Sequence, residues 1–248
     1  MDTINHIEMW RYPRFFVKYP SEGLTIEKQD LHHAVQVLRM KKGDKAILCD
    51  GKGTDYLCEY SGGEQFDVIQ TILNQAEPSV YLRLFQCLPK SDKMEFIIQK
   101  AVELGVSEII PVVSSRCVSR PDSKSSASKV TRWNKIAYEA AKQCGRGKIP
   151  FVGEILSFKD AVGGLNAQDL NIIFYECGGA RLNDIVKYSD NAERLNVLIG
   201  SEGGFSKNEV DSACACGAIP ATLGKRILRV DTASIAAISV IMNLTGNI

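Results

Sequence analysis

The sequence predicts an α/β protein with a mainly parallel sheet, preceded by a small β-rich module, on three observations. From residue 80 onward, short β-branched and apolar runs alternate with apolar stripes of helical period, the rhythm of strand–helix–strand units. Over the first 72 or so residues the apolar runs are instead short, close together and separated by glycine turns, as in a compact β module. Between the two, NQAEPS (74–79) has the composition of a linker, so the expected domains are 1–73 and 74–248 of the 248 residues.

In the first module RFFVKY, KAILCD, YLCEY and FDVIQTIL read as strands, broken by the turns KKGD and DGKGTD. Between them LHHAVQVLRM sets Leu31, Val35 and Leu38 at helical spacing, with Gly43 as the stop. VYLRLFQC opens the second domain as a strand. KMEFIIQKAVELG carries a helical stripe of Met94, Ile97, Ile98, Ala101 and Leu104, and Gly105 stands where a C-cap belongs. SEIIPVV is the next strand, followed by a basic helix over about 127–143 that ends at CGRGKIP. SFKD (157–160) and SKNE (206–209) have the form of capping boxes. NIIFYE and LNVLIG are buried strands, VDSACACG is a helix closed by Gly217, and AIPATLG is a last strand. DTASIAAISVIMNLTG forms a final helix capped by Asp231 or Thr232. Its apolar face of Ile235, Ile238 and Met242 is either core or a dimer surface.

Composition narrows the class. At 45% hydrophobic and 24% charged, the chain is that of an ordinary globular protein. No run approaches a membrane span and the N-terminus lacks the pattern of a signal peptide, so a cytoplasmic location without membrane contact is expected. The eight cysteines are scattered with no CxxC, which points to reduced, mostly buried thiols and no metal. The net charge of +1 conceals an asymmetry: residues 73–150 carry 13 Lys+Arg against 7 Asp+Glu. Most of the excess lies in 116–148, which reads as a local polyanion footprint or, equally, as a solvated helix face.

The chemistry is expected where strands end and helices begin, in the turns YECGG (175–179), IGSEGGFS (199–206) and LGKRILRVDTA (223–233). A phosphate does not suit them. Gly224-Lys225 is followed by Arg226 without the P-loop spacing, no GxGxxG opens the first helix, and Glu202 sits inside the glycine turn. An acidic turn favours a cationic or zwitterionic ligand; a tight turn without any ligand is the other reading.

LIGSEGGFSKNEV followed by LGKRILRVDTA resembles the paired motifs of the ribosomal RNA small subunit methyltransferase E family, in the knotted SPOUT superfamily. YPRFF and HHAVQVLRMKKGD resemble its N-terminal PUA-like barrel. KSDKMEFIIQKAVELGVSEIIPVVSSRC and RWNKIAYEAAKQCGRGKIP resemble its central signatures, so the likeness covers nearly the whole chain. It implies a PUA-like β-barrel domain ahead of a SPOUT domain whose C-terminal trefoil knot holds S-adenosylmethionine. It also implies a homodimer that methylates N3 of a uridine in 16S rRNA, with the assembled small ribosomal subunit as the expected partner. Two positions depart from the family: Ser201 stands where proline is usual, and Asp231 where glutamate is most frequent.

Carried onto this chain, the resemblance implies cofactor contacts from Tyr175, Ile199, Gly200, Ser201, Glu202, Gly203, Gly204, Leu223, Gly224, Ile227, Leu228, Arg229, Thr232 and Ala233. The glycines would let the backbone fold around adenine and the methionine part. Arg229 is the candidate cation for the uridine anion, its alternative being a structural pair with Asp231 or Glu202. No general base is evident. RNA contacts are expected from Arg11, Arg14, His33, Arg39, Lys90, Lys93, Arg116, Arg132 and Arg146, while Trp133 reads as core more readily than as a base-stacking surface. The alternatives are a catalytically silent RNA-binding assembly factor and a SPOUT enzyme acting on another RNA such as tRNA.

Overall fold

Residues 9, 11–17, 24–186 and 194–248 are described by the structure, a computed structural model. The chain separates into two compact units: Met1–Glu77 with Ala141–Ile149, and Pro78–Ala140 with Pro150–Ile248.

The first unit is built on strands β1 (Arg14–Phe16), β2 (Lys45–Cys49), β3 (Thr54–Gly62) and β4 (Gln65–Leu73), hydrogen-bonded in that order. β1 runs parallel to β2, while β2, β3 and β4 are antiparallel. All four expected strands are present; Lys18 and Tyr19 of the first lie outside the described residues. The helical segment differs in kind from the expectation: α1 (Lys28–His32) passes directly into a π-helical turn, His33–Val37. Alternate strand residues point inward, so Phe15, Ala46, Leu48, Cys58, Tyr60 and Phe66 form the core with Ile26, Ala34 and Met40.

Residues 141–149 are fastened to this unit by polar contacts. Arg146 reaches Glu77 at 2.9 Å, Lys142 reaches Asp30 at 3.0 Å, and Asn74 Nδ2 donates to Gly145 O at 3.0 Å. A Cβ on Gly147 would lie 2.8 Å from Asn74, which explains the glycine there.

The second unit has a parallel sheet of order β10-β12-β9-β11-β5-β6-β7 among the described residues, with β8 pairing β6. The strands are β5 (Tyr81–Cys87), β6 (Glu108–Val113), β7 (Phe151–Val152), β8 (Leu156–Ser157), β9 (Leu170–Phe174), β10 (Ala180–Arg181), β11 (Arg194–Ile199) and β12 (Ala218–Thr222). The central strands are continuous apolar runs because both faces of a parallel sheet are covered. Val197 of β11 sits between Leu84 of β5 and Ile172 of β9, all three buried. β7, β8 and β10 have only two residues each, too short for a periodic signal.

The connecting helices are α2 (Lys93–Glu103), α3 (Ser123–Gln143), α4 (Phe158–Gly163), α5 (Leu182–Val186), α6 (Lys207–Ala215) and α7 (Val230–Leu244). α3 begins four residues before the expected 127, with Asp122 Oδ1 accepting from Ser125 N. Ser157 caps α4, and Ser206 with Glu209 forms a full capping box on α6. Gly105 and Gly217, at φ +97° and +87°, take the left-handed geometry that ends a helix. The cap of α7 is neither Asp231 nor Thr232 but Arg229, because the apolar Val230 already packs into the core as the first helical residue. Ile238 and Met242 of α7 are buried within this chain, while Ile235 of the same face is half-buried.

Candidate functional site

The three turns after β9, β11 and β12 converge at the carboxyl ends of their strands on a cavity of about 500 Å³. Phe174, Tyr175 and Glu176 come from the first turn, Ile199 to Gly204 from the second, and Thr222 to Val230 from the third; Lys93 and Ala233 complete the lining. Every residue expected at the cofactor is on this wall except Thr232, which is exposed in the first turn of α7. Ligand sites at such sheet edges are favoured because the strands splay there and leave a crevice.

The glycines of the second turn are constrained by the chain itself, besides the room they would leave for a ligand. A Cβ on Gly200 would lie 3.0 Å from the Gly204 Cα, and one on Gly203 would lie 3.0 Å from the Arg116 Cβ. One on Gly204 would lie 2.5 Å from Glu176 Oε1, and Gly204 also has φ +63°. At each position a Cβ would press on backbone or on a side chain that would have to shift.

The charges on the wall are sorted by position. Lys90 N donates to both oxygens of Glu202 at 3.1 and 3.3 Å, helped by the left-handed turn at Ser91, φ +55°. Lys93 Nζ lies 3.5 Å from Glu202 and 3.7 Å from Asp231 Oδ1. Among the described residues the two carboxylates proposed as structural partners for Arg229 are thus bridged by Lys93, and Arg229 lines the cavity exposed. Asp231 Oδ1 is buried without a hydrogen bond among the described residues, consistent with an arm one methylene shorter than glutamate.

A second shelf of contacts holds the glycine turn to the loop after β6. The Glu209 carboxylate accepts from Ser115 N at 2.7 Å and Oγ at 2.9 Å, and from Ser206 N at 2.8 Å and Oγ at 2.9 Å. Burial pushes this carboxyl up, but the Ser115 and Ser206 donors outweigh it and hold Glu209 below the ordinary glutamate value. Arg116 Nη1 donates to Gly203 O at 2.8 Å from the same loop. Beneath lie Cys87 and Cys117: burial pushes the Cys87 thiol up, and its hydrogen bond to Cys117 pulls the latter down. Ser201 Oγ, buried, makes no hydrogen bond among the described residues. Gln86 Oε1 at the end of β5 accepts from Ser234 Oγ of α7 at 2.6 Å, fully buried, and so fixes the helix that carries Val230 and Ala233.

The basic residues expected to touch RNA fall into two groups. Arg11, Arg39, Lys90, Arg116 and Arg132 are exposed, Arg132 with Glu95 at 2.8 Å; Lys93 lies at the cavity and His33 is half-buried, edge-on to Phe15. Arg14 and Arg146 are corrections. Arg14 gives both terminal nitrogens to Asp55 at 2.8 and 2.6 Å, and Arg146 is 3% exposed and held by Glu77. Buried charges of this kind are spent on their partners and cannot also neutralise a phosphate. Burial pulls Arg14 down, yet Asp55 and Cys49 more than offset it and its pKa is raised. Trp133 is buried in the core. Ser115, Gln86 and Ser234 carry no sequence signal; Glu176 lies in the expected YECGG turn but is not among the expected contacts, and Glu209 is visible as the acid of SKNE.

The parallel sheet and its turn-lined cavity define an RNA methyltransferase: a family model described as "RNA methyltransferase domain" matches residues 76–242, and one described as "RNA methyltransferase PUA domain" matches 26–69. Ribosomal RNA small subunit methyltransferase E of Bacillus subtilis (strain 168) is 31% identical over 243 residues, covering 92% of this chain and 95% of the relative. That of Mesomycoplasma hyopneumoniae (strain 232) is 31% identical, covering 90% and 95%. The crystal structure of the Neisseria gonorrhoeae enzyme of that name, bound to S-adenosyl methionine, superposes with TM-score 0.85 at 29% identity over 94% of this chain and 98% of that one. The chain belongs to the ribosomal RNA small subunit methyltransferase E family.

No helix among the described residues is long and apolar enough to cross a membrane, and no group of His, Cys, Asp and Glu among them is arranged to hold a metal.

Proposed function

We propose that the protein transfers a methyl group from S-adenosylmethionine to N3 of a uridine in 16S rRNA, working as a cytoplasmic homodimer on the small ribosomal subunit. The observation that carries this reading is the wall itself. Apolar Phe174, Ile199, Leu223 and Leu228 suit a flat purine, and the carboxylates Glu176 and Glu202 suit a cationic ligand. A trefoil threading of the turns belongs to the same reading. It is supported by a strand order that puts β11 between β9 and β5, with α7 returning to β5 through Ser234.

When bound, the cofactor supplies a methyl already activated on a sulfonium. The protein's part is alignment and charge. Holding the reacting atoms about 3–3.5 Å apart removes several kcal/mol of barrier. Loss of the N3 proton to solvent would leave a uridine anion whose charge spreads onto the pyrimidine oxygens. The N3 lone pair would then take the methyl as the carbon–sulfur bond breaks and a neutral thioether leaves. Arg229, exposed on the wall and free of Glu202 and Asp231, supplies the cation for that charge. Arg11, Arg39 and Arg132 are exposed for phosphate contacts. Exposed Phe96 on α2 and Val240 on α7 provide apolar area for the dimer.

The test is incubation with labelled S-adenosylmethionine and small subunits lacking their native methylations, followed by mass spectrometry of the modified nucleoside. N3-methyluridine in 16S rRNA is the expected product. Label on another base, or on another RNA only, overturns the assignment.

A further inference from the structure

Two carboxylates line the cavity, and only one of them accepts a hydrogen bond among the described residues. Glu202 is occupied by the Lys90 amide and the Lys93 ammonium. Glu176 is held differently. Its carboxylate rests where a side chain at position 204 would stand, with Oε1 2.5 Å and Oε2 2.8 Å from a Cβ placed on Gly204. The Arg116 guanidinium is 4.0 Å away, and its Nη1 is already committed to Gly203 O at 2.8 Å. Among the described residues no other cation lies within ion-pair distance of Glu176. The side chain is 36% exposed, on the cavity side of the turn after β9. The glycine turn therefore keeps open, by lacking a side chain at 204, a berth for an anionic group that makes no hydrogen bond within the described chain.

We infer that Glu176 is a specificity-determining residue for the cofactor, its carboxylate receiving a cationic group of S-adenosylmethionine. The inference rests on the cofactor named above. That molecule offers two groups of the required chemistry, the sulfonium at the reacting centre and the ammonium of the methionine end. A carboxylate facing a cation in a partly closed site gives a charge-assisted contact, stronger than one between neutral groups. Contact with the sulfonium would also distinguish the methyl donor from its spent, neutral thioether and so favour exchange of product for fresh cofactor.

The experiment is calorimetric titration of the wild type and Glu176→Gln with three ligands. S-adenosylmethionine carries both cations, S-adenosylhomocysteine only the ammonium, and 5′-methylthioadenosine neither. Glu176→Gln is expected to weaken S-adenosylmethionine roughly tenfold or more while leaving 5′-methylthioadenosine within about twofold. An equal loss for S-adenosylhomocysteine assigns the ammonium, and an unchanged one assigns the sulfonium; both uphold the inference. Unchanged S-adenosylmethionine affinity in the variant overturns it, as does a loss shared by 5′-methylthioadenosine. A wild type that binds none of the three overturns the cofactor reading as well, so the two failures are told apart.

Discussion

Glu176 and Gly204 share one small volume: the carboxylate of the first lies within 2.5 Å of where the second would carry a Cβ. Gly204→Ala therefore meets two obstacles, the carboxylate and its own φ of +63°. The backbone obstacle alone costs about 1 kcal/mol. Gly204→Ala is expected to lower both the melting temperature and the cofactor affinity. Adding Glu176→Ala should restore part of the stability, because the collision is relieved while the backbone strain remains. Strict additivity in this double-mutant cycle would show that the two residues do not compete for space.

Arg229 is expected to act on the rate rather than on cofactor binding. Arg229→Ala should reduce kcat by roughly 100-fold, the scale of one lost charge-stabilising donor. Its dissociation constant for S-adenosylmethionine, read by calorimetry, should change by no more than about threefold, less than 1 kcal/mol. Arg229→Lys should recover part of the rate through its charge but lack the forked geometry. A loss confined to cofactor affinity would assign the residue to binding alone.

Glu209 gives the fold a pH signature. Its carboxyl is held below the ordinary value in the folded state, so its contribution to stability is fully present above the unfolded value of about 4.3 and is lost as pH falls through the lower, folded one. Urea midpoints of the wild type should drop as pH is lowered through that window, and those of Glu209→Gln should drop less. At neutral pH Glu209→Ala should cost about 1–3 kcal/mol by stranding the Ser115 and Ser206 donors. A pH profile identical in wild type and Glu209→Gln would remove Glu209 from the acid response.

The thiols divide by burial. Cys177, Cys214 and Cys216 are exposed, and a maleimide should label them quickly in the native protein. Cys49 and Cys58 are pushed up to about 12, chiefly by burial, and should remain unlabelled until the chain unfolds. Peptide mapping after timed labelling reads this order. Above the ordinary thiol value of about 8.5 the unfolded chain ionises these two while the folded one does not, so stability should also fall as pH rises.

How much of this was legible in the sequence follows from distance along the chain. Caps and stops were legible, because Ser157, Ser206, Gly105 and Gly217 act within one helical turn. The long apolar strands were legible too, since burial on both faces leaves a continuous run. The cap of α7 was not: Asp231 and Thr232 have the better capping chemistry, and only the packing of Val230 moves the helix start back to Arg229. Nor did charge reveal its own use. Arg14 and Arg146 look like Arg11 and Arg132 in a one-dimensional count, but Asp55 and Glu77 come from remote segments to take them up. The motifs placed the glycine turn at the site, yet the neighbours that require those glycines, Arg116 and Glu176, lie in other loops.

The buried bond between Gln86 and Ser234 joins the strand that opens the second unit to the helix that follows its last strand. Translation delivers Gln86 148 residues ahead of Ser234. A nascent chain that has released its first, second and third turns still lacks the residue that locks α7 against β5. The wall of the cavity is thus set only when two segments 148 residues apart have met.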